Sequence, residues 1–82
     1  MAKTFHLTIA KVGQNLFDGP AESVTLPGKE GVFEVLSSHE PFVSELKEGQ
    51  VWVTAEGGEE HHFDIKAGGI AEISNNQATI LL

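Results

Sequence analysis

The chain has 82 residues, a net charge of −7 and no cysteine. That length supports one domain with a modest core, and the missing cysteine excludes a disulfide scaffold, a thiolate zinc site and a cysteine nucleophile. Twelve acids stand against five basic residues, all lysine, so there is no arginine-rich face for nucleic acid and no guanidinium fork for phosphate.

No stretch approaches the roughly 18 apolar residues of a membrane-spanning helix, and the start lacks the charged-then-apolar pattern of a signal peptide. Any work at a membrane is therefore expected to go through a partner.

Thr4 to Ala10 alternates, with Phe5, Leu7 and Ile9 on one side and His6, Thr8 and Ala10 on the other. This is the period of a strand with one buried face. Leu16-Phe17 reads as a short second strand closed by the turn signal Asp18-Gly19 and the exit residue Pro20. Val24 and Leu26 alternate with Ser23 and Thr25 up to Pro27-Gly28, where pairing is expected to stop. Lys29-Glu30-Gly31 then projects as a charged loop. Pairing resumes through Val32-Phe33-Glu34-Val35-Leu36, with Phe33 and Val35 facing one way and Val32, Glu34 and Leu36 the other.

Pro41 restricts Glu40 to extended geometry and fixes His39 near a corner. Phe42 to Leu46 is too short for a stable helix between Pro41 and Gly49, and reads as a strand or bent turn. Gln50 to Glu56 puts Val51, Val53 and Ala55 opposite Trp52 and Thr54. Gly57-Gly58 closes a hairpin onto Glu59 to Lys66, with Phe63 and Ile65 inward. Ile70 to Ser74 and Gln77 to Leu82 form a last hairpin around Asn75-Asn76. Eight to ten short strands without an amphipathic helix predict an antiparallel sandwich or barrel.

Four histidines raise metal chemistry. His61 and His62 are neighbours on a strand, so their side chains point to opposite faces and cannot chelate one ion together. A small metal-dependent barrel enzyme would need His39 or His6 beside one of them, plus an acid such as Glu59 or Asp64. Ser37-Ser38-His39 sets serine beside histidine, but adjacency in sequence is not a hydrogen-bonded dyad. Gly28-Lys29-Glu30-Gly31 lacks the spacing of a phosphate cradle. Leu36, Phe42, Trp52 and Val32 are more apolar surface than a small sandwich readily buries, which points to an interaction module rather than an enzyme.

The string from Val24 through Pro27-Gly28, Gly31, Phe33, Val35-Leu36, His39 and Pro41 resembles the signature of the ATP synthase epsilon subunit, in its amino-terminal β-sandwich domain. Phe5-His6-Leu7, Leu16-Phe17-Asp18-Gly19, Leu46-Lys47-Glu48-Gly49-Gln50-Val51, Gly68-Gly69-Ile70-Ala71-Glu72 and Ala78-Thr79-Ile80-Leu81-Leu82 follow that family's order, so the resemblance covers essentially the whole chain. It implies an all-β, antiparallel sandwich of about ten strands, one domain over residues 1–82. The implied role is a non-catalytic central-stalk subunit that couples proton (or sodium) flux to ATP synthesis. The implied contacts are Lys29, Glu30, Gly31 and Val32 with the membrane c-ring, and His39, with Pro41 and Phe42, with the gamma subunit.

The family's usual helical hairpin has no counterpart before Leu82. The expectation is a naturally short chain without hairpin-mediated inhibition, nucleotide site, cofactor or metal. It would sit as a peripheral protein at the cytoplasmic face of a bacterial plasma membrane. Ser37-Ser38 stands where many relatives carry Pro-Gly, Val32 where many carry an acid, and Lys11-Val12 where a proline-bearing turn is common.

Overall fold

The computed structural model describes residues 3–66 and 68–82. Eight strands account for the regular structure: β1 (Phe5–Lys11), β2 (Gln14–Gly28), β3 (Gly31–Leu36), β4 (Phe42–Leu46), β5 (Gly49–Ala55), β6 (Glu60–Ile65), β7 (Gly69–Ser74) and β8 (Gln77–Leu81). The described residues contain no helix. The all-β architecture matches the sequence reading, with eight strands in place of about ten.

The count falls because β2 is one strand of 15 residues. Asp18 and Gly19 do not turn; they pair with Thr8 and Leu7 of β1. Asp18 is held in the ladder by its own side chain, which takes His6 Nε2 at 2.7 Å and accepts from Thr8 Oγ1 at 3.4 Å. The real reversal lies earlier, at Val12-Gly13, where Gly13 has φ +78°.

β2 then serves two layers. Its first half pairs with β1 as far as Ala21. A bulge at Glu22 shifts the register, and the second half pairs with β5 and β3. One layer is therefore β3-β2-β5-β6, and the other runs from the first half of β2 through β1, β8 and β7 to β4. The β1–β8 pair is parallel, which corrects the all-antiparallel expectation. Leu7 sits beside Ala78 and Ile9 beside Ile80, all four buried.

The alternation read from the sequence fixes the faces. Phe5, Leu7, Ile9, Val24, Leu26, Val35, Val51, Val53, Ile65, Ala71, Ile73 and Ile80 are at most 3% exposed and fill the space between the layers. Burying one of the valine, leucine, isoleucine or phenylalanine side chains contributes about 1.5–3 kcal/mol. No buried side-chain polar atom is left unpaired among the described residues.

Pairing continues past Pro27, contrary to expectation: Pro27 lies opposite Val32, and Gly28 opposite Gly31. Proline is tolerated because its backbone faces away from β3. Its carbonyl accepts Lys47 N–H at 2.9 Å on the other side, and the N–H it lacks is not needed there.

Candidate functional site

The β2–β3 hairpin ends in a two-residue loop, Lys29-Glu30, between Gly28 and Gly31. Both glycines are required. A Cβ on Gly28 would lie 2.6 Å from the Gly31 carbonyl oxygen and 2.8 Å from the Phe33 ring, and Gly31 has φ +142°. The tip is pinned from below, with Lys29 N–H donating to the Glu45 carbonyl at 2.9 Å. Lys29 Nζ also lies 3.6 Å from Glu45 Oε2, but both side chains are about two-thirds exposed, so this pair contributes little. The backbone holds the tip. Lys29, Glu30, Gly31 and Val32 all reach solvent, Val32 with 71% of its surface.

The second group lies where β3 leaves for β4. Ser38 has φ +65°, a left-handed conformation that costs a side-chain-bearing residue roughly 1–2 kcal/mol. It turns the chain so that His39 comes back over Phe42, ring centroids 5.0 Å apart. His39 Nδ1 lies 3.0 Å from the Glu40 carbonyl oxygen. Phe42 meets Phe33 edge-on at 5.3 Å. Pro41 is exposed, while His39 and Phe42 are half-buried.

Tip and corner are thus one mechanical unit. Gly28 packs under Phe33, Phe33 against Phe42, and Phe42 against His39. Sequence reasoning named both groups but missed the aromatic chain joining them. Its only signal was the inward parity of Phe33.

The histidines do not converge. His61 bonds Glu59 Oε1 at 3.0 Å and stands edge-on to Phe17 at 5.4 Å. His62, on the opposite face, lies over Trp52 with centroids 3.7 Å apart, and His39 sits with Phe42. Among the described residues, no three histidine, aspartate or glutamate side chains gather as a metal site would need.

Apolar surface is the more telling feature. Val32, Leu36 and Trp52 are 71%, 51% and 44% exposed on the outer face of the β3-β2-β5-β6 layer, and Val43, Ile70 and Leu81 are exposed on the other layer. A small β-sandwich with a pinned tip, a strained corner and exposed apolar side chains on both outer faces has the features of a protein-contact surface.

The chain belongs to the family described as ATP synthase, Delta/Epsilon chain, beta-sandwich domain, whose profile matches residues 4–82. It is 41% identical over 81 residues to the ATP synthase epsilon chain 1 of Methylococcus capsulatus, covering 99% of this chain and 57% of that one. It is 44% identical over 78 residues to the ATP synthase epsilon chain of a Bradyrhizobium species, covering 95% of this chain and 56% of that one. The chain thus spans a little over half the length of the curated relatives it matches.

Among solved structures, a chain in the Euglena gracilis mitochondrial ATP synthase with its c-ring superposes at TM-score 0.87. It has 28% identity, over 95% of this chain and 49% of that one. A chain of the Tetrahymena thermophila mitochondrial ATP synthase central stalk and c-ring superposes at TM-score 0.75, with 15% identity, over 96% of this chain and 63% of that one. At that identity the likeness speaks for the fold alone.

Proposed function

We propose that this chain is a non-catalytic central-stalk subunit of a rotary ATP synthase, holding the gamma subunit and the membrane c-ring together so that ion flux drives ATP synthesis. One observation carries the reading. The family match runs over residues 4–82, and relatives above 40% identity over 95–99% of this chain are named ATP synthase epsilon chains.

Lys29, Glu30, Gly31 and Val32 are assigned to the c-ring contact. A backbone-pinned tip carrying one charge of each sign and an exposed valine can meet polar loops of either sign and still resist lateral force. His39, Pro41 and Phe42 are assigned to the gamma contact. The Phe33–Phe42–His39 packing then transmits load from one contact to the other without a loop in between. The domain has no catalytic role, nucleotide site or cofactor in this scheme. It works as a peripheral subunit at the cytoplasmic face of a bacterial plasma membrane.

Calorimetry of the chain against the gamma subunit from the same source tests the assignment. One-to-one binding, weakened at least tenfold by Phe42→Ala and by His39→Ala, is expected. A folded chain that fails to bind gamma overturns it.

A further inference from the structure

The layer β3-β2-β5-β6 has two outer strands, and only β6 defends its edge. β3 pairs with β2 alone. Which of its backbone groups are used follows from the register. Pro27 turns its carbonyl toward Lys47, so Val32, opposite Pro27, has no hydrogen bond from β2. Antiparallel pairs alternate between bonded and non-bonded, so Phe33 and Val35 bond to Leu26 and Val24, while Val32, Glu34 and Leu36 face away. The far side of the layer gives the same parity. Ala55 N–H donates to the Glu59 carbonyl, which commits Val53 and Val51 to β6 and turns Trp52 toward Thr25. Thr25 therefore faces away from Glu34, its cross-strand neighbour on β3.

Val32, Glu34 and Leu36 thus present free N–H and C=O groups along one line, with their side chains on the outer face and exposed. Such an edge is a template for another strand. Its chemistry is apolar, acidic, apolar. A second copy docked antiparallel about the centre would put Glu34 opposite Glu34, and like charges directly opposite are destabilising.

We propose that the β3 edge accepts an extended segment of another protein as an added strand, and that this segment carries a basic residue opposite Glu34 with apolar residues two positions to either side. Val32 and Leu36 cover the two apolar side chains, Glu34 pairs with the charge, and main-chain bonds to all three residues supply the affinity. Glu34 is the selector: it admits a basic strand and repels a second copy of this chain.

The test uses the isolated chain and does not depend on the rotor assignment. Two blocked seven-residue peptides alternate threonine and valine, one with a central lysine and the other with a central glutamate, and each is titrated at low salt while amide resonances are followed. In the free chain, the amides of Phe33 and Val35 should exchange slowly and those of Val32, Glu34 and Leu36 fast. The lysine peptide should shift and protect Val32, Glu34 and Leu36, binding about fivefold tighter than the glutamate peptide, and Glu34→Lys should invert that preference. Glu34→Val should make the chain dimerise. The proposal is overturned if the three outward amides are already protected, if neither peptide shifts β3, if Glu34→Lys leaves the preference unchanged, or if the wild-type chain itself pairs through β3.

Discussion

β3 and β6 border the same four-stranded layer with the same geometry and opposite chemistry. On β6 the residues whose backbone faces outward are Glu60, His62 and Asp64; on β3 they are Val32, Glu34 and Leu36. The β6 set carries two acids, and two of its three side chains are engaged by β5. His62 lies on Trp52, and Asp64 accepts from Gln50 Nε2 at 3.2 Å. The β3 set is two apolar side chains with a single acid between them. A charged edge is how a sheet avoids extension by strangers. The open border of this layer is the one that also carries the hairpin tip and leads into the His39 corner.

The largest expected effect comes from the core beneath the two borders. Ile65 is 3% exposed under β6 and Val35 is 1% exposed under β3. Ile65→Ala should lower unfolding free energy by about 3 kcal/mol, and Val35→Ala by less because fewer carbons are removed, both read from urea unfolding. Equal losses would mean that the borders are not anchored as the packing indicates.

Gly28→Ala should cost about 2 kcal/mol, since its Cβ meets a backbone oxygen that cannot swing aside. The loss should be accompanied by shifted Phe33 and Phe42 ring resonances. A silent substitution would detach the tip from the aromatic chain.

Ser38→Gly acts in the opposite direction. It removes the left-handed penalty at φ +65° and should stabilise the chain by about 1 kcal/mol. Smallest in energy, and most direct on the comparison, are two border substitutions. Glu34→Val should produce concentration-dependent dimers in analytical ultracentrifugation, whereas Asp64→Val should leave a monomer because Glu60 and His62 still guard β6. Dimers from both variants would erase the distinction between the borders.

Much of the candidate site was legible in the chain itself. Lys29, Glu30 and Val32 stand out as a charged tip with an apolar neighbour, and they are exposed as expected. Pro41 marked a corner near His39, but the positive φ that makes it falls on Ser38, which the sequence reading did not single out as strained. The Phe33–Phe42–His39 chain was not legible, because it joins β3, β4 and the connection between them, whose rings meet only after the two layers close.

The sequence by itself determined the buried face of β1, of the second half of β2, of β3 and of β5. Alternation at Phe5, Leu7 and Ile9, at Val24 and Leu26, and at Val51 and Val53 is local, imposed by the pleat one residue at a time, and every one of these side chains is buried. Only the tertiary structure decided which strands are neighbours. Asp18-Gly19 carries a local turn signal, yet it stays in β2 because β1 supplies partners and His6 and Thr8 hold the Asp18 side chain. The parallel β1–β8 pair, the transfer of β2 between layers at Glu22 and the open border at β3 depend on residues far apart in the chain meeting across a shared core. A two-residue period specifies a face; it cannot specify a partner.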